Sequence, residues 1–213
     1  MFCQTWPMEF QVVVADRPRR VGLVFGNERD AMQVNRWRAP ASVREKTAVR
    51  DSLEFARLAS NRWRYYRRSI PTATNLAEFR AAIATSPQAE VSFILLAKAD
   101  WFQSSSALGL AQCRRTYCHN LILEFLEVHP LVVGKTAPVI EGVGSGILFG
   151  LAEMAGRLGI GSIWGEATAH SAPFYAKAIG VGQIDDQFSM RGGALEHCRR
   201  KFRENFLGTL LED

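Results

Sequence analysis

The sequence predicts an α/β fold: a mixed, mostly antiparallel central sheet flanked by helices on both faces. Three observations predict it. Apolar residues recur at helical spacing through residues 42–85. Compact apolar runs between residues 91 and 128 read as strands. A glycine-rich turn then opens a further segment of helical period. The 213 residues suit one domain, and a hydrophobic content of 47% is enough to build its core.

Residues 1–41 are set apart as a candidate N-terminal extension. Within them, residues 10–14 and 21–25 could pair as strands across the turn Asp16-Arg17-Pro18-Arg19, and Pro40 closes the segment. Leu53, Ala56, Leu58 and Ala59 then mark one face of an amphipathic helix. The run from Asn61 to Arg68 continues it, and Pro71 ends it. Asn75 is a candidate cap for a second helix carrying Leu76, Phe79, Ala82 and Ile83. Residues 91–97 form a buried strand. Residues 107–116 form the next, entered from the turn Ser104-Ser105-Ser106. Residues 121–128 form a third, joined to the second by the polar link at residues 117–120. Strict alternation along the third strand puts Ile122, Glu124 and Leu126 on one face and Glu127 on the other.

Beyond residue 140 the pattern is richer. Ile147, Leu148, Leu151, Met154, Ala155 and Leu158 fall on one helical face, and Gly159 suits the position after the helix end. Residues 162–167 read as a short strand. Ser171 suits an N-cap with Pro173 in the first turn, and that helix ends near Gly180.

Charge and cysteine usage narrow the function classes. The net charge of +5 favours anionic partners, but a cofactor phosphate satisfies it as well as RNA, so nucleic acid is not expected. The Arg-rich stretch from Arg62 to Arg68, with Trp63, Tyr65 and Tyr66 between its charges, reads as a half-buried helix whose arginines face water. No signal peptide is expected, because residues 1–16 lack a basic start followed by a long apolar run, and no membrane span, because residues 139–155, the most apolar stretch near the middle, contain Glu141, Glu153 and several glycines. Cys3, Cys113, Cys118 and Cys198 show no paired spacing. They read as free thiols of a cytoplasmic protein, with no metal site.

The chemistry centres on Glu141-Gly142-Val143-Gly144-Ser145-Gly146. Glycines at a helix start expose backbone N–H groups and let a phosphate approach closely. A dinucleotide fingerprint would need a third glycine where Ile147 stands. Tight packing of the helix start accounts for the same residues equally well.

The order of pieces carries a resemblance. Leu126-Glu127-Val128-His129-Pro130 resembles the L-A-V-x-P strand end of the GCN5-related N-acetyltransferases (the GNAT superfamily). The run from Gly142 to Leu148 resembles that family's G-x-G-S-A-L-L loop. The segment from Ser171 to Val181 resembles its A-x-x-F-Y-x-K-x-G-F helix. The resemblance covers roughly residues 90–185 and marks them as an acyl-CoA-binding core within a single GNAT-like domain. It implies transfer of an acetyl group from acetyl-CoA directly to an amine acceptor. A non-catalytic acyl-CoA-binding module and an acetyltransferase acting on an RNA-linked amine stand as alternatives, and a homodimer is left open.

It also implies roles. Tyr175 aligns with the tyrosine that protonates the departing thiolate. The Val128 N–H would receive the oxyanion, and Leu126 lies beside it on the same strand. Glu141, Gly142, Val143, Gly144, Ser145 and Gly146 would hold the pyrophosphate, and His170 would lie near the pantetheine arm. Glu124 is the candidate base, with Glu127, His119, His129, Glu166 and water as further candidates. Two departures stand out. Val139 occupies the position usually held by Arg or Gln, and the link at residues 131–140 is longer than usual, with Lys135 in it.

Overall fold

The structure, a computed structural model, describes residues 8–44, 46–102 and 107–204. The serine turn at residues 104–106 and Cys3 lie outside the described residues. In chain order the elements are β1 (Met8–Val14), β2 (Arg17–Phe25), α1 (Glu28–Val34), α2 (Thr47–Tyr66), α3 (Leu76–Thr85), β3 (Val91–Lys98), β4 (Ala107–Arg115), β5 (Leu121–Val128), α4 (Pro130–Val133), β6 (Ile140–Glu141), α5 (Val143–Arg157), β7 (Ser162–Glu166), α6 (Ala172–Ile179), β8 (Gln187–Arg191) and α7 (Gly193–Phe202). One eight-stranded sheet runs in the order β6-β1-β2-β3-β4-β5-β7-β8. Among these strands only β5 and β7 pair in parallel. The fold is therefore the mixed, mostly antiparallel α/β sheet that the pattern predicts. Apolar residues of α1 and α2 cover one face, and those of α3, α5, α6 and α7 cover the other.

Residues 8–34 supply two strands and a helix of this same sheet. The β1–β2 hairpin turns at Ala15 and Asp16, whose φ values are 47° and 62°. Such a two-residue turn matches the twist of its strands. The expected turn at residues 16–19 is displaced, because Arg17, Pro18 and Arg19 all pair with β1. Pro18 is tolerated there because β3 pairs with β2 only from Gly22 to Phe25, so its missing N–H faces no strand.

In α2 the buried stripe is Val49, Ser52, Ala56, Ala59, Ser60 and Trp63. Leu58, expected on the apolar face, falls off that stripe and is 45% exposed. The small side chains let α2 approach its neighbours closely. The Ser60 hydroxyl donates to the Ala31 carbonyl at 2.7 Å, and the Ser52 hydroxyl donates to the Val128 carbonyl at 2.6 Å.

On the opposite face, α5 lies against β1 and β2 through two glycines. A Cβ on Gly146 would sit 2.2 Å from the Phe10 ring, and one on Gly150 would sit 2.4 Å from Leu23. The buried Glu153 of α5 holds α7 in place: Arg203 approaches it at 3.0 Å and Arg199 at 3.7 Å, while Arg157 of α5 approaches at 3.3 Å. Neither α7 nor β8 was assigned from the sequence.

Gly146→Ala tests this close approach. Helix propensity alone would make alanine more stable by about 0.5–1 kcal/mol. Overpacking against Phe10 should reverse the sign and cost roughly 1–3 kcal/mol. Urea denaturation should show a lower midpoint for the variant, and an equal or higher midpoint would refute the tight contact.

Candidate functional site

The site forms where the sheet parts. β5 pairs with β7 at Leu121–Ile163, Ile122–Trp164 and Leu123–Gly165, and no further. Gly165 permits that last approach, since a Cβ there would lie 2.5 Å from the Leu123 carbonyl oxygen and 2.9 Å from the Phe188 ring. At the same level β5 bulges: Leu123 faces Cys113 and Phe125 faces Gln112, which leaves Glu124 without a partner on β4. A bulge bends its strand and resets the two-residue period. Phe125 and Glu127 consequently turn toward α2, while Leu126 and Val128 pack on the α5 side. The unbroken alternation expected from the sequence, with Glu127 facing away from Glu124, is overturned by this one inserted residue.

The ladder also sets the direction of the backbone. The His129 N–H donates to Leu108 of β4 at 2.8 Å. Successive residues of a strand point their amides to opposite sides. The Val128 N–H and carbonyl therefore point away from β4, toward the parted seam, and the carbonyl is the one that Ser52 captures.

A cavity of about 540 Å³ opens along this seam, between α2, β5, β7 and the turn before α6. Asp51, Phe55, Glu127, Trp164, His170 and Tyr175 are among its lining residues. Tyr175 is buried, with its ring stacked on Phe188 at 4.2 Å and edge-on to Phe174 at 5.1 Å. Burial raises its pKa, and the charge of Glu127 adds to the shift, so the phenol stays protonated at neutral pH. Ser171 occupies the N-cap position of α6 but does not cap it. Its hydroxyl instead accepts the Thr168 N–H at 2.9 Å and shapes the turn that carries His170.

The two strand carboxylates sit in different surroundings. Oε1 of Glu124 accepts from the Tyr66 hydroxyl at 2.8 Å and from Nε of Arg114 at 3.0 Å. Arg114 also pairs with Glu90 at 2.5 Å, and Arg62 donates to the Tyr66 hydroxyl at 3.3 Å. Glu124 is thus one member of an ion-pair network. For Glu127 burial raises the pKa to about 8, with the charge of Asp51 adding to the shift. Asp51 and Glu127 are functional candidates that the sequence reading missed or ranked low. The signal available for Asp51 was its place beside Ser52 on the buried stripe of α2.

His129 is buried between Trp37 and Phe102, and burial lowers its pKa to about 4. Its Nδ1 accepts the Leu131 N–H at 3.2 Å. Nδ1 of His119 faces Arg115 at 3.0 Å and its Nε2 faces the Leu158 carbonyl at 3.1 Å, at the end of α5 away from the seam. Glu166 lines the cavity. At the C-cap of α2, Arg67 pairs with Glu28 and lies over the Trp63 ring at 5.2 Å.

The start of α5 lies beside the seam. Gly142, with φ of 92°, is the N-cap, and the first helical bond runs from the Gly146 N–H to the Gly142 carbonyl at 2.9 Å. The N–H groups of Val143, Gly144 and Ser145 therefore have no acceptor within the helix. No side chain caps them, and the first turn carries no acid. A Cβ on Gly144 would lie 3.3 Å from the Phe174 ring and 3.8 Å from a Val128 methyl, which places this turn at the end of β5. Such a turn fits an anion such as a pyrophosphate. Gly146 serves the helix ladder and the Phe10 contact instead, and Glu141 pairs with Val13 in β6. Of the residues singled out from the sequence, Leu126, Val128, Gly142, Val143, Gly144 and Ser145 gather at the seam or the adjoining helix start. Glu124, His170 and Tyr175 line the cavity. Among the described residues, no group of three or more His, Cys, Asp or Glu could hold a metal, and no helix is long and apolar enough to cross a membrane.

Comparison with known proteins gives fold-level likenesses. No protein-family model matches the chain, and neither does any curated protein. Among solved structures, the chain is similar to a protein from Desulfovibrio desulfuricans assigned to the GNAT family of acetyltransferases. The TM-score is 0.46 at 14% identity, covering 80% of this chain and 98% of that one. It is also similar to a GNAT-family acetyltransferase from Staphylococcus aureus Mu50. There the TM-score is 0.43 at 8% identity, covering 79% of this chain and 97% of that one.

Ser145→Glu probes the helix start. A carboxylate in the first turn favours the helix by about 0.3–1 kcal/mol but occupies the anion site. If this turn holds the cofactor phosphate, the variant should melt at or above the parent temperature and lose the rise in Tm expected of the parent with millimolar CoA. An undiminished rise in the variant would exclude this turn as the phosphate site.

Proposed function

We propose that the chain is an N-acyltransferase of the GNAT kind, moving an acetyl group from acetyl-CoA directly to an amine. The observation that carries the reading is the coincidence of three features at one place. The sheet parts beside an uncapped helix start, the Val128 N–H points into the opening, and a buried tyrosine lines the cavity there.

Each residue then has a physical task. The first-turn amides of α5 hold the pyrophosphate. The unpaired length of β5 offers the backbone groups of Leu126 and Val128 to the pantetheine arm. The Val128 N–H donates to the oxygen on which negative charge develops, in a cavity lined in part by the aromatic rings of Phe55, Phe125 and Trp164. Tyr175 gives its phenolic proton to the departing sulfur, and its raised pKa keeps that proton in place until then. The α2 wall supplies the acceptor side of the cavity. The thioester, when bound, supplies an activated acyl carbon; the protein contributes orientation, oxyanion stabilisation and proton movement.

Tyr175→Phe separates chemistry from packing. The ring keeps its stacking partner Phe188, so the fold should persist. With a panel of primary amines and acetyl-CoA, kcat should fall about 100-fold while the CoA-induced Tm rise is retained. Parental kcat in the variant would remove the tyrosine from the mechanism. No CoA release by the parent with any amine, together with no Tm response to CoA, would refute the acyltransferase reading.

A further inference from the structure

Resting on that reading, we propose that Glu127 is the general base and that Asp51 is its positioning partner. Together they admit a cationic amine that carries no carboxylate beside its nitrogen.

The placement comes from the bulge. It turns Glu127 toward α2, where Asp51 also lines the cavity. Asp51 is adjacent to Ser52, whose hydroxyl ties α2 to the Val128 carbonyl at 2.6 Å. Glu127 thus directly precedes the residue whose amide would face the oxyanion, and Asp51 directly precedes the serine bonded to that residue's carbonyl. The other charged or titratable groups around Glu127 are Tyr175 from α6, and, elsewhere in the cavity wall, Glu124 with Arg114 and Arg62, Glu166 and His170. Arg114 is taken up by Glu124 and Glu90, and no salt bridge to Glu127 or Asp51 is formed by either arginine. A proton or a cation between the two carboxylates is the arrangement that relieves their repulsion.

An arriving ammonium meets that need. It enters as R–NH3⁺, is attracted by Asp51, and hands one proton to the Glu127 carboxylate. The free amine forms the new N–C bond and the C–S bond breaks. The second nitrogen proton leaves as Tyr175 delivers its own to the sulfur and is restored. The sum is R–NH3⁺ plus acetyl-CoA giving the N-acetyl product, CoA thiol and one proton, with no oxidant or reductant. The same negative pair repels an amine that has a carboxylate on the adjacent carbon. The amide or ester of an α-amino acid is therefore accepted over the free acid.

Isosteric variants test this. Glu127→Gln should lower kcat about 100-fold with CoA affinity unchanged. For an acceptor whose ammonium titrates near 10, kcat/KM of the parent should rise with pH through the Glu127 titration near pH 8. Asp51→Asn removes the neighbouring charge, so that acidic limb should move to lower pH while KM for the amine rises. A structural role for Asp51 would leave the limb in place. The carboxyl ¹³C shift of Glu127 gives the same titration without turnover: it should report a value near 8 in the parent and a lower one in Asp51→Asn. Parental kcat in Glu127→Gln, an unmoved limb, a Glu127 carboxyl titrating near 4.5 in the parent, or equal use of free amino acids and their amides would overturn the assignment. Absence of any turnover beside a Glu127 ¹³C titration near 8 that falls in Asp51→Asn would instead refute the acyltransferase reading while leaving the carboxylate pair in place.

Discussion

β5 and β7 share a sheet for three residue pairs and then separate, and the chemistry of the site depends on that separation. Parallel neighbours normally use each other's amides to satisfy their own. Here the pairing stops just as β5 gains an extra residue at Glu124. The bulge bends β5 away, and the chain after Glu166 leaves for α6. Backbone groups of β5 that would have been consumed by β7 become available instead. One of them, the Val128 carbonyl, is taken by Ser52, so α2 is fixed across the opening. The sheet supplies an unsatisfied edge, and α2 together with α6 encloses it.

The glycines near the start of α5 illustrate how one motif serves two ends. Gly142 holds a left-handed conformation and sets the angle at which the helix departs. Gly144 brings the first turn against Phe174 and Val128. Gly146 and Gly150 face the opposite way and let the helix lie close on Phe10 and Leu23. The packing explanation holds for Gly146 and Gly150, and the proposed ligand role falls to the other end of the motif, at Gly142 and Gly144. Close packing also secures the first turn, because a helix pressed onto β1 and β2 cannot shift its exposed amides relative to the end of β5.

Much of this was legible in the sequence. The order β3-β4-β5, the helix after Gly142, the strand β7 and the glycine-ended helix at Gly180 all follow from periodicity and turn residues, whereas the short α4 and β6 do not. So do the two N-terminal strands, although their turn moved by a residue or two. What failed did so for identifiable reasons. A bulge leaves no mark in composition, and a strict two-residue period carried past Glu124 puts every later side chain on the wrong face. Leu58 counted as apolar although the small residues Ser52, Ala56 and Ser60 make the true contact. β8 and α7 carry their periods, with Phe188 and Met190 buried in alternation and Leu195, Cys198 and Phe202 on one helical face, but in segments of only five and ten residues. The three arginines that gather around Glu153 come from two helices separated by some forty residues, a proximity only the tertiary fold creates.

The two glutamates of β5 show how environment divides like groups into different roles. They stand three residues apart on one strand, both toward α2. Glu124 lies where Arg114, Tyr66 and Arg62 converge, so its charge is matched and its geometry fixed by hydrogen bonds. Glu127 lies where its nearest charged neighbour from α2 is Asp51, so burial and repulsion both act against its ionised form. The proposed base is thus the carboxylate that, among the described residues, forms no salt bridge. The same α2 helix creates the difference, with cationic Arg62 near one end and Asp51 near the other. The pair of glutamates can then be read as a structural anchor and a reactive group, set apart by one inserted residue in the strand.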